Sequence, residues 1–301
     1  MSRRSRIEIE AIREAIVDEL EADNPQTVRG LFYRLVSRGV VAKTEAEYEN
    51  TVCRLAVEMR RTGALRYSWI ADPTRWMRKP STFSSVEAAL RRTAQTYRRA
   101  LWDDALTVRE IWCEKDAITG VLIRETSDWD VPLMPCRGYP SLSFLHSAAE
   151  AILERHRYGQ RTILYYFGDH DPSGLDIDRT VTRGIGESLI ALTFDWADPR
   201  EAFAEVADFE RVAVTPAQIA DLQLPTRPTK RMSRDYRART FVGDSVEVDA
   251  IPARRLRQIA ASCIEGHVDA DQLESLREVE AEERRVLLAL ADRQDINGES
   301  R

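Results

Sequence analysis

Cysteine is scarce in this chain and carries no pattern. Cys53, Cys113, Cys136 and Cys263 lie far apart with no Cys-x-x-Cys spacing, so neither a disulfide framework nor a zinc site is expected. No apolar run approaches the roughly 20 residues of a membrane-spanning helix, and the first residues lack the apolar core of a signal peptide. No membrane association is expected, and the cytoplasm is the expected compartment. There is no Gly-rich phosphate loop ending in Lys-Ser/Thr, so no ATP site is expected. The four histidines have no ligand spacing between them; His170 alone sits beside acids, and in a strand it would point away from them.

Charge is plentiful but uneven. The net charge of −6 covers a basic front, with 19 Lys/Arg against 13 Asp/Glu over residues 1–100, and an acidic remainder, with 25 against 37. Within 29–100 the balance is 15 against 6. A basic front suits phosphate contacts, although uneven surface charge without function would look the same.

The front reads as short helices. An amphipathic helix over 5–21 ends at Asn24-Pro25, a second runs from Val28 to Ser37 with Thr27 as its cap, and Thr44-Glu-Ala-Glu47 opens a third as a capping box. Leu65–Ile70 alternates like a short strand, and Asp72-Pro73 turns after it. Helices followed by a strand predict a winged-helix-like DNA-binding domain over 1–79, with Asn50, Arg54, Arg60 and Arg61 turned outward. A helical connector over 80–104 follows. From 107 onward strand and helix alternate: strands at Thr107–Cys113, Val131–Pro135 and Thr162–Phe167, each followed by a helix. That pattern predicts an α/β fold with a parallel sheet in a third region, 105–301. Further strands are expected at Arg211–Thr215 and Val246–Ile251, and two acid-rich helices at the end. Leu224–Thr240, with six Lys/Arg and one Asp, reads as a long basic loop that is either solvated or in contact with nucleic acid.

Two clusters carry chemistry. Glu114 closes the first strand, and Gly168-Asp-His-Asp171 closes the third, so their acids fall on one rim of the sheet, where open α/β sheets hold ligands. Asp171 before Pro172 also reads as an ordinary helix cap. With Asp169 and Glu114 beside it, the set has the hard-oxygen character that Mg²⁺ requires. Tyr33 lies about 130° from the apolar stripe of its helix and is expected to face outward, with Arg29 one turn before it. An adjacent cation would favour the phenolate and hold a phosphate, whereas an exposed Tyr serves equally well as a plain contact.

Together these residues resemble a known family. Glu114-Lys115, Arg137-Gly-Tyr-Pro-Ser141 and Gly168-Asp-His-Asp-Pro-Ser-Gly174 resemble the Toprim domain, most closely that of the A subunit of type IIB topoisomerase and of the related meiotic double-strand-break transesterase. Thr27-Val-Arg-Gly-Leu-Phe-Tyr33 is similar to the helix that carries their nucleophilic tyrosine. The region after about 195 matches poorly.

The resemblance implies a Rossmann-like Toprim sheet, Tyr33 as nucleophile with Arg29 as its partner, and Mg²⁺ held by Glu114, Asp169 and Asp171. It implies DNA cleavage through a 5′ phosphotyrosyl bond, in a homodimer with tyrosine and acidic rim from different subunits, and any ATPase on a separate chain. The residues leave two other expectations open: a metal-dependent hydrolase using water, and a non-catalytic DNA-binding subunit.

Overall fold

A computed structural model describes residues 4–71, 82–229, 241, 243–268 and 270–298. The Asp72-Pro73 turn and residues 230–240 of the basic loop lie outside the described residues. Contacts divide the chain into two compact units, Met1–Thr74 with Leu106–Cys263, and Arg75–Ala105 with Ile264–Arg301. This grouping cuts across the expected order of 1–79, 80–104 and 105–301.

In the first unit, α1 (Arg6–Ala22) starts at a true capping box on Ser5, and α2 (Val28–Ser37) starts where Thr27 accepts the Gly30 amide. A third helical stretch runs from α3 (Glu45–Glu47) through a π turn (Tyr48–Cys53) into α4 (Arg54–Arg61). Thr44 caps it, but Glu47 does not complete the box; its carboxylate takes Arg4 Nη1 at 2.8 Å instead. The expected strand at Leu65–Ile70 is a 3₁₀ turn (Tyr67–Trp69) with one parallel bridge, Gln26 to Ile70. Among the described residues Gln26 alone bridges this segment, and lone alternation does not make a strand.

The sheet has four parallel strands in the order β2-β1-β3-β4: β1 (Thr107–Cys113), β2 (Leu133–Pro135), β3 (Arg161–Phe167) and β4 (Ala207–Ala213). The helices between are α6 (Asp116–Asp128), α7 (Leu142–Arg157), α8 (Pro172–Thr193) and α9 (Pro199–Val206). Burial is continuous along β1 from Val108 to Cys113, as for a strand covered on both faces. Even Glu110 is buried there, accepting from Trp112 Nε1 at 2.8 Å and Arg155 Nη1 at 2.6 Å. Trp112, Tyr166, Ile177, Val181 and Ile185 lie at the centre of the core. The chain leaves β1 toward β2 on one side and returns to β3 on the other. The topological switch point therefore falls between the carboxyl ends of β1 and β3.

After α10 (Pro216–Asp221), the segment expected as a strand at Val246–Ile251 forms one antiparallel bridge, His170 to Val246, and then a 3₁₀ turn (Val248–Ala250). It leads into α11 (Ala253–Glu265), which carries three arginines and a single Glu rather than the expected acid-rich face. In the second unit, α5 (Val86–Thr96) packs along α12 (Ala270–Gly298). Arg91 reaches Asp292 at 2.8 Å, and Tyr97 donates to Glu283 at 2.7 Å. The stretch expected as a connector is thus half of a helical pair.

Candidate functional site

The switch point is built by backbone before any side chain acts. The Glu114 amide donates to the Phe167 carbonyl at 2.9 Å, extending the β1–β3 ladder one residue past the sheet. Glu114 Oε2 then accepts the Asp169 amide at 2.8 Å. Two glycines permit this approach. A Cβ on Gly168 would lie 3.0 Å from Glu114 Oε2 and inside the Tyr166 ring, and a Cβ on Gly174 would collide with the Asp169 carbonyl. Arg211, at the end of β4, ties the loop down: it pairs with both Asp178 oxygens at 2.7 Å and donates to the carbonyls of Gly168, Asp169 and Gly174.

Burial pushes the Glu114 carboxyl up to about 7, with the Asp169 charge adding and the Asp169 amide and Lys115 opposing. Burial also raises Asp169, against the pull of Lys115 and of the Val248 amide. Asp171 takes the role of cap: its Oδ1 accepts the Gly174 amide at 2.7 Å and starts α8. His170 packs its ring 5.3 Å from that of Phe241.

The expected Mg²⁺ ligands lie near one another, since Glu114 feels the charges of both Asp169 and Asp171, but one oxygen of each is already engaged within the protein. Among the described residues no group of three or more His, Cys, Asp or Glu is disposed to hold a metal ion. The donor atoms show why. Asp169 Oδ1 is held by Lys115 Nζ at 3.0 Å and by the Val248 amide at 2.9 Å, Asp171 Oδ1 is a helix cap, and Glu114 Oε2 is engaged by backbone.

Tyr33 does not face outward. It is 3% exposed, even though the apolar stripe of α2 runs where the helical wheel puts it, through the fully buried Leu31 and Leu35. The segment at 247–250 covers the opposite face. Asp249 accepts from Thr27 Oγ1, Arg34 donates to the Ala250 carbonyl, and a Cβ on Gly30 would sit 3.5 Å from the Asp249 carbonyl. A wheel registers one apolar stripe and is blind to a second, polar cover.

Arg29 stays near, 5.7 Å from the Tyr33 ring centroid, but its guanidinium is shared between Glu45 and Glu247 and stacks 4.3 Å from the Tyr48 ring. Burial, then the Glu247 charge, push the Tyr33 hydroxyl up to about 12; Arg29, Arg227 and Lys115 pull the other way and are outweighed. Lys43 Nζ lies 5.7 Å from the same ring centroid.

Of the expected DNA contacts, Arg54 is exposed and pairs with Glu58 at 3.2 Å, Arg60 stacks 4.6 Å over Tyr67, and Arg61 is exposed. Arg54 borders a cavity of about 810 Å³ in which Arg4 and Arg13 are likewise paired, with Glu47 and Glu58. That groove is of mixed sign rather than basic.

Sequence reasoning missed Lys115, Arg211, Arg227, Glu247 and Asp249. The alternation Val246-Glu-Val-Asp249 already put both acids on one side, but nothing in it named their cationic partners. Comparisons with protein-family models, with curated proteins and with solved structures found no match.

Proposed function

We propose that the chain acts on DNA phosphodiesters by transesterification at Tyr33. One observation carries this: Arg29, 5.7 Å from the Tyr33 ring centroid, and Lys115, paired with Asp169, both hold the Glu247 carboxylate, which links the tyrosine to the Glu114–Asp169 rim. In the step, the Tyr33 Oη–P bond forms and the P–O3′ bond breaks; the phenol loses its proton and the leaving oxygen gains one. Arg29 and Lys115 supply positive charge to the phosphorane. Glu114, with its carboxyl near 7, is the group on the rim that can exchange a proton around neutral pH. No step is routed through Mg²⁺; if Glu114, Asp169 and Asp171 hold it, as the resemblance implies, it would add positive charge at the leaving oxygen.

On this reading α1–α4 are the winged-helix-like DNA-binding part and the sheet is a Toprim-like unit in a cytoplasmic enzyme. Among the described residues no two-stranded wing follows α4. Each chain offers one such tyrosine, so cutting both strands takes a homodimer, and a separate ATPase chain would be needed for strand passage.

The burial of Tyr33 favours a second reading, a DNA-binding subunit that does not cleave. Trapping separates the two: the protein is incubated with DNA and Mg²⁺, denatured, and inspected for covalently attached DNA. An adduct lost in Tyr33→Phe supports transesterification. Nicking without an adduct, surviving Tyr33→Phe, points to hydrolysis by water, and salt-sensitive binding without cleavage points to the non-catalytic subunit.

A further inference from the structure

The carboxylate of Glu247 is held by more cations than a staple needs. Its Oε1 lies 3.1 Å from Arg29 Nη2 and 2.9 Å from Arg227 Nη1; its Oε2 lies 3.1 Å from Arg29 Nε and 3.3 Å from Lys115 Nζ. Both oxygens are engaged, one guanidinium forks across the pair, and the residue is 7% exposed. That arrangement of donors is the one Arg offers equally to a phosphate, whose two free oxygens match a carboxylate's.

The surrounding segment ties up the rest of the candidate site as well. The Val248 amide holds Asp169 Oδ1 at 2.9 Å, and Asp249 Oδ2 holds Lys115 Nζ at 3.1 Å. The segment is pinned at its start by paired backbone bonds, Ser245 with Arg227 and Val246 with His170, and at its end by the Ala250 carbonyl on Arg34.

We propose that Arg29, Lys115 and Arg227 form a phosphate site beside Tyr33, and that residues 245–250 are an autoinhibitory strap whose Glu247 carboxylate occupies that site until a phosphate group displaces it. The inference deepens the phosphodiester reading above and rests on it for the identity of the natural ligand. Withdrawal of the strap would release Arg29 and Lys115 from Glu247 and Asp249, and Asp169 Oδ1 from the Val248 amide, because three consecutive residues of the strap hold them; Arg29 would keep Glu45, and Lys115 would keep Asp169.

The test uses the full chain and inorganic phosphate as the probe. Glu247→Gln keeps the side chain's shape and one acceptor while removing its charge, and Glu247→Ala empties the site. Thermal melting is followed in phosphate and in chloride of equal ionic strength. The expected result is a phosphate-specific rise in Tm in both variants, larger than in the parent chain and lost when Lys115→Ala is added to Glu247→Gln. Isothermal titration should show phosphate binding about tenfold or more tighter to Glu247→Gln than to the parent.

Equal phosphate response in parent and Glu247→Gln, or a response that survives Lys115→Ala, overturns the strap. Should Glu247→Ala fail to fold, the Glu247→Gln comparison decides alone. DNA cleavage is not part of this readout, so an inactive protein that gains phosphate binding supports the strap while counting against transesterification at Tyr33.

Discussion

Replacing Glu114 by Gln should change how stability varies with pH. The ordinary carboxyl value is 4.5, and in the folded chain burial and the Asp169 charge raise it to about 7. Between those two values the folded state binds a proton that the unfolded state has released, so the native chain loses stability as pH rises through this window and levels off above it. A shift of that size corresponds to about 3 kcal/mol, an upper figure because part of the group meets water. Asp169 is raised as well and acts in the same direction. The amide introduced by Glu114→Gln would keep an acceptor for the Asp169 N–H but could not ionise. The stability difference between Glu114→Gln and the parent should therefore grow in favour of the variant, by up to about 3 kcal/mol between about pH 4.5 and pH 8. Urea unfolding followed by fluorescence of the chain's six tryptophans, in EDTA and at several pH values, measures it. A difference that is flat with pH, or that favours the parent at alkaline pH, would refute the account of a buried, strained carboxylate at the switch point.

Two further outcomes follow from packing and pairing. Arg211→Met should cost roughly 3–5 kcal/mol in denaturant unfolding, because Asp178 and three carbonyls lose their donor, and Asp178→Asn in the same chain should recover part of the loss. Gly186→Ala should cost roughly 1–3 kcal/mol or more, since its Cβ would lie 2.9 Å from Pro199 Cα and inside the Pro199 carbonyl. Gly184→Ala, two residues away, meets the Leu145 side chain rather than backbone, with Cδ1 at 2.5 Å, and should cost less by the same measurement.

The first three strands of the sheet and the helices α6, α7 and α8 after them were legible as apolar runs and periodic faces, whereas β4 starts four residues before the expected Arg211 and α9 ahead of it was not anticipated. Glu114 and Asp169 could be placed on one rim because a parallel sheet fixes which end of each strand carries the loops. The partners of those acids could not be read. Lys115 and Glu247 are 132 positions apart, and nothing local in either segment indicates the other. Tyr33 shows the same limit: its distance from the apolar stripe was right, yet a polar cover from 218 positions beyond Arg29 buries it. The Leu65–Ile70 and Val246–Ile251 segments alternated like strands, but among the described residues each has a single bridging residue in place of a neighbour strand.

The pairing of α5 with α12 sets an order on biosynthesis. Arg91 and Asp292 are separated by 201 positions, so the first helix leaves the ribosome long before its mate exists. At about 5–20 residues per second the wait is on the order of ten seconds or more, during which Ala94 and its neighbours have no cover. Nascent chains stalled short of residue 264 would thus expose this helix to proteases, and its protection would date from the last moments of synthesis.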